Sequence, residues 1–248
     1  MKLDEFFAVH PKFALGFSGG VDSSYLLHAA MRAGVDVAPY FVKTPFQPAF
    51  ELADARRVAE LSGATLRIVE MDILDEPTVV RNETDRCYHC KRAIFSRISE
   101  TAAKEGYELL ADGTNASDDA DDRPGMRALA ELGVISPLRL CGLSKDDVRR
   151  LSREAGLFTH DKPAYACLAT RVATGEAITG EKLHLAERAE IFLSSLGFAD
   201  FRVRVSNGNA RIELREEEMP RLLANRGEIV AYFEEIGAKG VALDLRPR

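Results

Sequence analysis

The chain has 248 residues, 46% hydrophobic and 29% charged, and its 33 basic and 39 acidic residues leave a formal charge of −6. These proportions fit a globular chain with one large domain or one domain and an appendage, and they exclude a generally basic, nucleic-acid-coating surface. No run approaches 18 apolar residues and the first ten residues lack a long apolar core, so the expectation is a cytoplasmic chain with no membrane span, no signal peptide and reduced cysteines.

Residues 13–17 form a short apolar run that ends in a glycine-rich turn. Residues 22–33 follow with Tyr25, Leu26, Ala29 and Ala30 at helical spacing, and Gly34 stands where it would end the helix. A strand over 35–42, a helix over 48–62 closed by Gly63, and a strand over 65–72 come next. A helix over 88–104, stopped by Gly106, leads into a strand over 107–111. Ser144 to Asp147 has the shape of a capping box, with Asp in place of Glu, ahead of Val148, Leu151 and Ala155. Strand–helix alternation with short connections predicts an α/β fold, a doubly wound parallel sheet whose ligands sit at the carboxyl ends of the strands.

Beyond about Lys162 the pattern changes. An amphipathic helix over 179–196 precedes alternating residues 201–205 and 210–214 on either side of Asn207-Gly208, a strong hairpin signal. A helical stretch over 217–236 and a strand over 240–245 complete a small α+β unit. Two domains are expected, 1–160 and 161–248, the second serving substrate binding or oligomerisation. No internal repeat is visible.

The sharpest motif is Ser18-Gly19-Gly20-Val21-Asp22-Ser23, between a predicted strand and a predicted helix. Two glycines let the backbone fold around an anion, the helix N-terminus offers unpaired N–H groups, and Ser18 and Ser23 add hydroxyls. Asp22 would repel phosphate, so it fits as an N-terminal helix acid or as a ligand of Mg²⁺ bridging phosphates. The G-x-x-x-x-G-K-[ST] loop is absent, and this turn holds no G-x-G-x-x-G. A second polar loop, 112–119, continues to Arg123-Pro124-Gly125 and concentrates acids and hydroxyls at another strand's carboxyl end.

Ser18–Ser23 resembles the signature S-G-G-x-D-S of the PP-loop (N-type ATP pyrophosphatase) superfamily. That resemblance implies cleavage of ATP between its α- and β-phosphates, leaving AMP on a substrate oxygen and releasing pyrophosphate. It implies that Ser18, Gly19, Gly20, Asp22 and Ser23 bind the nucleotide. It also implies that Gly113 and Asn115 lie against ribose or phosphates, with Asp118 orienting metal or substrate.

Cys87-Tyr-His-Cys90 opens a predicted helix, Cys167 lies at the domain seam, and Cys141 between Leu140 and Gly142 reads as structural. One C-x-x-C is a weak zinc signal even with His89 as a possible further ligand, and a redox switch lacks thioredoxin-like context. Three thiolates with no fourth would suit an iron–sulfur cluster with one open iron. Cys167 alone could be a small buried hydrophobe, although Arg171, four positions on, would favour a reactive thiolate.

With 18–23, Arg86-Cys-Tyr-His-Cys-Lys91, 112–125, Ser136-Pro-Leu138, 161–171, 201–204, 210–213 and 241–245, the sequence resembles the LarE family of PP-loop sulfur transferases over nearly its whole length. The resemblance implies adenylylation, with ATP and Mg²⁺, of a carboxylate of pyridinium-3,5-biscarboxylate mononucleotide and its conversion to a thiocarboxylate for the nickel-pincer cofactor. Two sulfur steps are implied. Either Cys167 surrenders its own sulfur and becomes dehydroalanine, or Cys87, Cys90 and Cys167 hold a [4Fe–4S] cluster whose open iron carries sulfide, the version these cysteines match. Thr170 and Arg171 match phosphate-side residues, Arg202 and Arg204 alternate on one strand and so share a face that could clamp a phosphate, and Glu190 and Glu213 match acids of a divalent-metal site. A sulfide donor and a homo-oligomer are implied as well. The rival enzyme readings are a PP-loop tRNA thiolase, which the acidic balance disfavours, and an amide-forming synthetase, which leaves the cysteines unexplained. A non-catalytic nucleotide- or metal-binding regulator is the rival from outside enzymes.

Overall fold

The computed structural model describes residues 1–118, 124–163 and 165–248. The chain forms two compact units, one of Met1–Asp72 and Cys87–Tyr165, the other of Ile73–Arg86 and Ala166–Arg248.

In the first unit, α1 (Leu3–Val9) precedes β1 (Lys12–Gly16), α2 (Val21–Arg32), β2 (Asp36–Lys43), α3 (Ala49–Leu61) and β3 (Arg67–Glu70). After the segment assigned to the second unit come α4 (Arg86–Lys104), β4 (Leu110–Ala111), α5 (Pro124–Glu131) and α6 (Lys145–Glu154). The sheet is wholly parallel, in the order β3–β2–β1–β4. Its two faces follow from the period of two along each strand. Phe13, Leu15, Val37 and Phe41 pack with Leu26, Leu27 and Val58 from α2 and α3. The alternate residues Ala14, Ala38, Tyr40 and Val42 pack with Ile98 and Ala102 from α4. Helices on both faces make the sheet doubly wound, as the alternation of elements predicts.

Local chemistry sets the ends. Gly34 (φ 75°) follows α2, and Gly63 and Gly106 likewise take left-handed φ where helices stop. The capping box of α6 is complete: Ser144 Oγ accepts from Asp147 N (3.2 Å) and Asp147 Oδ2 accepts from Ser144 N (3.1 Å). Some elements of this unit differ from the sequence expectation. The strand expected over 107–111 shrinks to Leu110–Ala111, where it meets β1, and α4 starts at Arg86, so Cys87 and Cys90 both lie within the helix.

The second unit contains α7 (Gly180–Ser195), β5 (Arg202–Ser206), β6 (Asn209–Glu213), α8 (Met219–Ala224), α9 (Arg226–Glu235) and β7 (Gly240–Leu243). Thr179 caps α7, its side chain accepting from Lys182 N (3.3 Å). β5 and β6 are antiparallel through Asn207 (φ 50°) and Gly208 (φ 79°), the pair of positive φ values that a type I′ hairpin requires. β7 adds parallel to β6. Instead of one helix over 217–236 there are two, because Asn225 Nδ2 donates to the Arg221 carbonyl (2.8 Å) and ends α8. Leu193, Val203, Val205, Ala210 and Phe233 form a fully buried core. Among the described residues, no helix is long and apolar enough to cross a membrane.

Candidate functional site

The phosphate loop leaves the carboxyl end of β1, the strand between β2 and β4. Gly19 takes φ 71°, and a Cβ there would lie 3.0 Å from the backbone of Ala55 in α3, so both conformation and space demand glycine. The two serines close the loop: Ser18 Oγ lies 3.1 Å from Ser23 Oγ, and Ser23 Oγ accepts from Ser18 N (3.3 Å). Gly20 is the N-cap of α2 with no side chain over the helix end, so the first-turn N–H groups point into the loop without a capping competitor.

The second loop packs directly on the first. A Cβ on Gly113 would stand 2.7 Å from Ser23 N, which makes Gly113 the point of backbone-to-backbone contact. Asp112 is buried and accepts from Thr114 N (3.2 Å), Ser136 Oγ (2.7 Å) and Thr114 Oγ1. Asn115, also buried, donates through Nδ2 to Asp22 Oδ1 (3.1 Å). Asp118 turns inward, its Oδ2 accepting from Asn115 N (3.1 Å). Asp119 and Arg123 of the same motif lie outside the described residues.

The other oxygen of Asp22 is held by a residue that sequence reasoning missed: Lys145 Nζ lies 2.5 Å from Asp22 Oδ2. The capping box that starts α6 was legible, but nothing local marks its first residue as a partner of a loop 123 positions earlier. Also missed was a cavity of about 130 Å³ behind the loop, walled by Gly16, Phe17, Ser18, Tyr40 and Phe95 among others. A Cβ on Gly16 would lie 2.8 Å from the Phe95 ring, so this glycine lets α4 close down on the end of β1. The cavity's apolar walls and its place beside the anion loop suit a planar base attached to a phosphate chain.

Cys87 and Cys90 lie near the N-terminus of α4, where spacing i, i+3 puts them on one helix face; Cys87 is exposed and Cys90 half-buried. Between them, Tyr88 is buried, its hydroxyl donating to Glu131 (2.6 Å), and His89 packs edge-on to the Tyr88 ring. Cys141 is half-buried against the core, and burial pushes its thiol pKa up, as suits a packing residue.

In the second unit, half-buried Cys167 begins the short turn Leu168–Arg171, and Thr170 donates to the Cys167 carbonyl through N (3.0 Å) and Oγ1 (2.8 Å). Arg171 has no exposed surface. Its guanidinium grips Glu190 in two-pronged fashion (2.8 and 3.0 Å) and donates to the Ala166 carbonyl (2.8 Å), the peptide before Cys167. Glu190 also accepts from Val203 N (3.0 Å) of β5. Both residues therefore form a buried frame around the Cys167 turn. Arg86 supports the same turn, donating to Ala169 O (3.1 Å) and Asn82 Oδ1 (2.7 Å), while Asn82 Nδ2 donates to the carbonyls of Val172, Ala173 and Glu176.

A cavity of about 630 Å³ in this unit is walled by Thr170, Arg204, Asn209, Arg211 and Glu213, among others. Arg204 and Arg211 are cross-strand partners, and Glu213 accepts from both (3.0 Å each). Arg211 is a charged cavity residue that sequence reasoning missed. Its alternation with Glu213 on β6 was the available signal. Arg202 shares the face of Arg204 but donates to the Phe201 carbonyl (2.6 Å). Glu190 and Glu213 thus face guanidinium groups, and among the described residues no three His, Cys, Asp or Glu side chains gather as a metal centre. The shared face of Cys87 and Cys90 fits two thiolate ligands of an iron–sulfur cluster.

No family model matches the chain. An uncharacterised protein of Synechocystis is 36% identical over 98% of this chain and 92% of its own length. The pyridinium-3,5-bisthiocarboxylic acid mononucleotide synthase of Lactiplantibacillus plantarum is 32% identical over 94% of this chain and 86% of its own length. The tRNA-specific 2-thiouridylase of Thermotoga petrophila is more distant, 23% identical over 61% of this chain and 54% of that protein. With the S-G-G-V-D-S loop on a parallel α/β sheet and a synthase relative matched almost end to end, the chain belongs to the LarE family, the pyridinium-3,5-bisthiocarboxylic acid mononucleotide synthase branch of the PP-loop sulfurtransferases.

Proposed function

We propose that the chain uses ATP to adenylylate a carboxylate of pyridinium-3,5-biscarboxylate mononucleotide and then converts it to a thiocarboxylate. The observation that carries the reading is the joining of the Ser18–Ser23 loop to the 112–118 loop through Asn115 and Asp22, beside a cavity sized for a base. Backbone N–H groups of the loop and of α2 would receive the phosphates, with Ser18 and Ser23 adding donors. Mg²⁺ held at Asp22 would supply charge neutralisation between the phosphates. The carboxylate oxygen of the substrate displaces pyrophosphate, giving acyl-adenylate.

Arg204 and Arg211 suit the anionic groups of a mononucleotide, and about 630 Å³ lies within the range of small-ligand sites. Thr170 and Arg171 would hold the Cys167 turn in a fixed conformation during sulfur transfer. A [4Fe–4S] cluster on Cys87, Cys90 and Cys167 would supply a sulfide on its open iron, replenished by an external sulfide donor. On the alternative route the Cys167 thiolate attacks the acyl carbon and expels AMP. Loss of the Cα proton then breaks the Cβ–S bond, leaving dehydroalanine and thiocarboxylate. The test is anaerobic reconstitution of wild type and Cys87→Ala, with iron and acid-labile sulfide assayed per chain, followed by incubation with ATP, Mg²⁺ and the biscarboxylate mononucleotide. Four-iron loading lost in the variant selects the cluster route. An iron-free protein whose Cys167 becomes lighter by one hydrogen sulfide selects the sacrificial route. Failure to form AMP, pyrophosphate and thiocarboxylate overturns the reading.

A further inference from the structure

Neither the Ser18–Ser23 loop nor residues 112–118 contain a lysine or arginine. A triphosphate brings several negative charges to this place and Asp22 adds another, so positive charge has to come from outside both loops. Lys145 is placed to supply it. Its Nζ lies 2.5 Å from Asp22 Oδ2, and the pair is only partly solvent-exposed, 32% and 21% for the two side chains. The lysine backbone is fixed at the site by several independent bonds. Lys145 N donates to Ser117 Oγ (3.0 Å), Ala116 N donates to the Leu143 carbonyl (2.8 Å), and the Ser144–Asp147 capping box anchors the start of α6. A fixed backbone with a flexible four-carbon stem lets the ammonium exchange partners while its base stays in place.

We propose that Lys145 is a nucleotide-binding residue that changes partner. In the nucleotide-free protein its ammonium holds Asp22; when a divalent cation takes the Asp22 carboxylate, the ammonium turns to the phosphates of ATP. The inference rests on the ATP-dependent reading above. It gives Lys145 two opposed effects, competing with a divalent ion for Asp22 and assisting the nucleotide. A lysine that merely braced the loop would help both or neither.

The experiment compares wild type with Lys145→Met and Lys145→Arg, using Mn²⁺ alone, followed by the loss of the free-ion EPR signal, and MgATP, followed by calorimetry. Lys145→Met is expected to bind Mn²⁺ about fivefold more tightly, since one competing ion pair is gone. The same variant should bind MgATP at least about tenfold more weakly, the effect of losing a charge-assisted hydrogen bond, and Lys145→Arg should recover most of that loss. A second comparison is made in the Asp22→Asn background with metal-free ATP in EDTA, where adding Lys145→Met should again weaken binding about tenfold. Unchanged MgATP affinity in a folded Lys145→Met protein overturns the proposal, as does a parallel weakening of Mn²⁺ and MgATP. If wild type itself fails to bind MgATP, the ATP-dependent reading fails before any variant is compared.

Discussion

Glu190→Leu removes one partner of the most deeply buried ion pair in the second unit. Arg171 has no exposed surface and Glu190 retains 7%, so the guanidinium left behind cannot be rehydrated without opening the fold. Two charge-assisted hydrogen bonds vanish, and Val203 N loses its acceptor in β5. Stranding a buried charge in this way costs about 3–5 kcal/mol. Glu190→Gln keeps an acceptor for Val203 N and should cost roughly half as much. The double variant Arg171→Met/Glu190→Leu removes both charges and should recover most of the loss, because an apolar pair of similar volume replaces a buried pair at little net cost. Urea unfolding followed by circular dichroism measures all three against wild type. The same proteins are then assayed for AMP formation, which the proposed mechanism assigns to the first unit, and for thiocarboxylate formation. The double variant should regain stability while thiocarboxylate formation stays low, because the grip of Arg171 on the Ala166 carbonyl is still missing. A cost for Glu190→Leu below about 1 kcal/mol would refute the reasoning from burial. Full sulfur transfer in the double variant would refute the positioning role.

The phosphate loop and the 112–118 loop should separate in Gly113→Ala, whose Cβ would meet Ser23 N at 2.7 Å; MgATP affinity measured by calorimetry should fall by an order of magnitude or more. Asp22→Ala should abolish AMP formation, whereas Cys167→Ala should leave AMP formation intact and remove thiocarboxylate; thiocarboxylate from the latter variant would displace Cys167 from its role. Burial of Tyr40 pushes its phenol up to about 12 from 10.0. A folded-state pKa above the unfolded one gives stability that is complete below pH 10 and is lost as pH rises towards 12. Tyr40→Phe should therefore flatten the loss of stability across that alkaline window, as read by urea midpoints at successive pH values. At neutral pH it should cost no more than about 1 kcal/mol, the worth of the hydroxyl's interaction with Glu105.

What could be read in advance was what is written locally. A strand end, two glycines and a helix start lie within six residues, so the anion loop declares itself by spacing, and Gly19 confirms the reason through its φ and its contact with Ala55. The hairpin at Asn207-Gly208 and the capping box at Ser144 were legible on the same grounds, since each is made by atoms within a few residues of one another. Lys145 was invisible because its meaning depends on Asp22, and Arg171 and Glu190 could be named singly while their pairing depended on how α7 and β5 pack. Asn82 is the sharpest case. A polar residue between two charged neighbours reads as surface, yet it is 1% exposed with φ 55° and bonds three carbonyls of a loop some ninety positions away. Burying an amide is costly unless its hydrogen bonds are made, so its burial and its partners had to arise together, and only the folded second unit supplies the carbonyls. The parts of the site made by chain neighbours are thus recoverable from order alone. The parts that tune charge and hold the cysteine turn are made by tertiary pairing, and they are where substitutions should separate adenylylation from sulfur transfer.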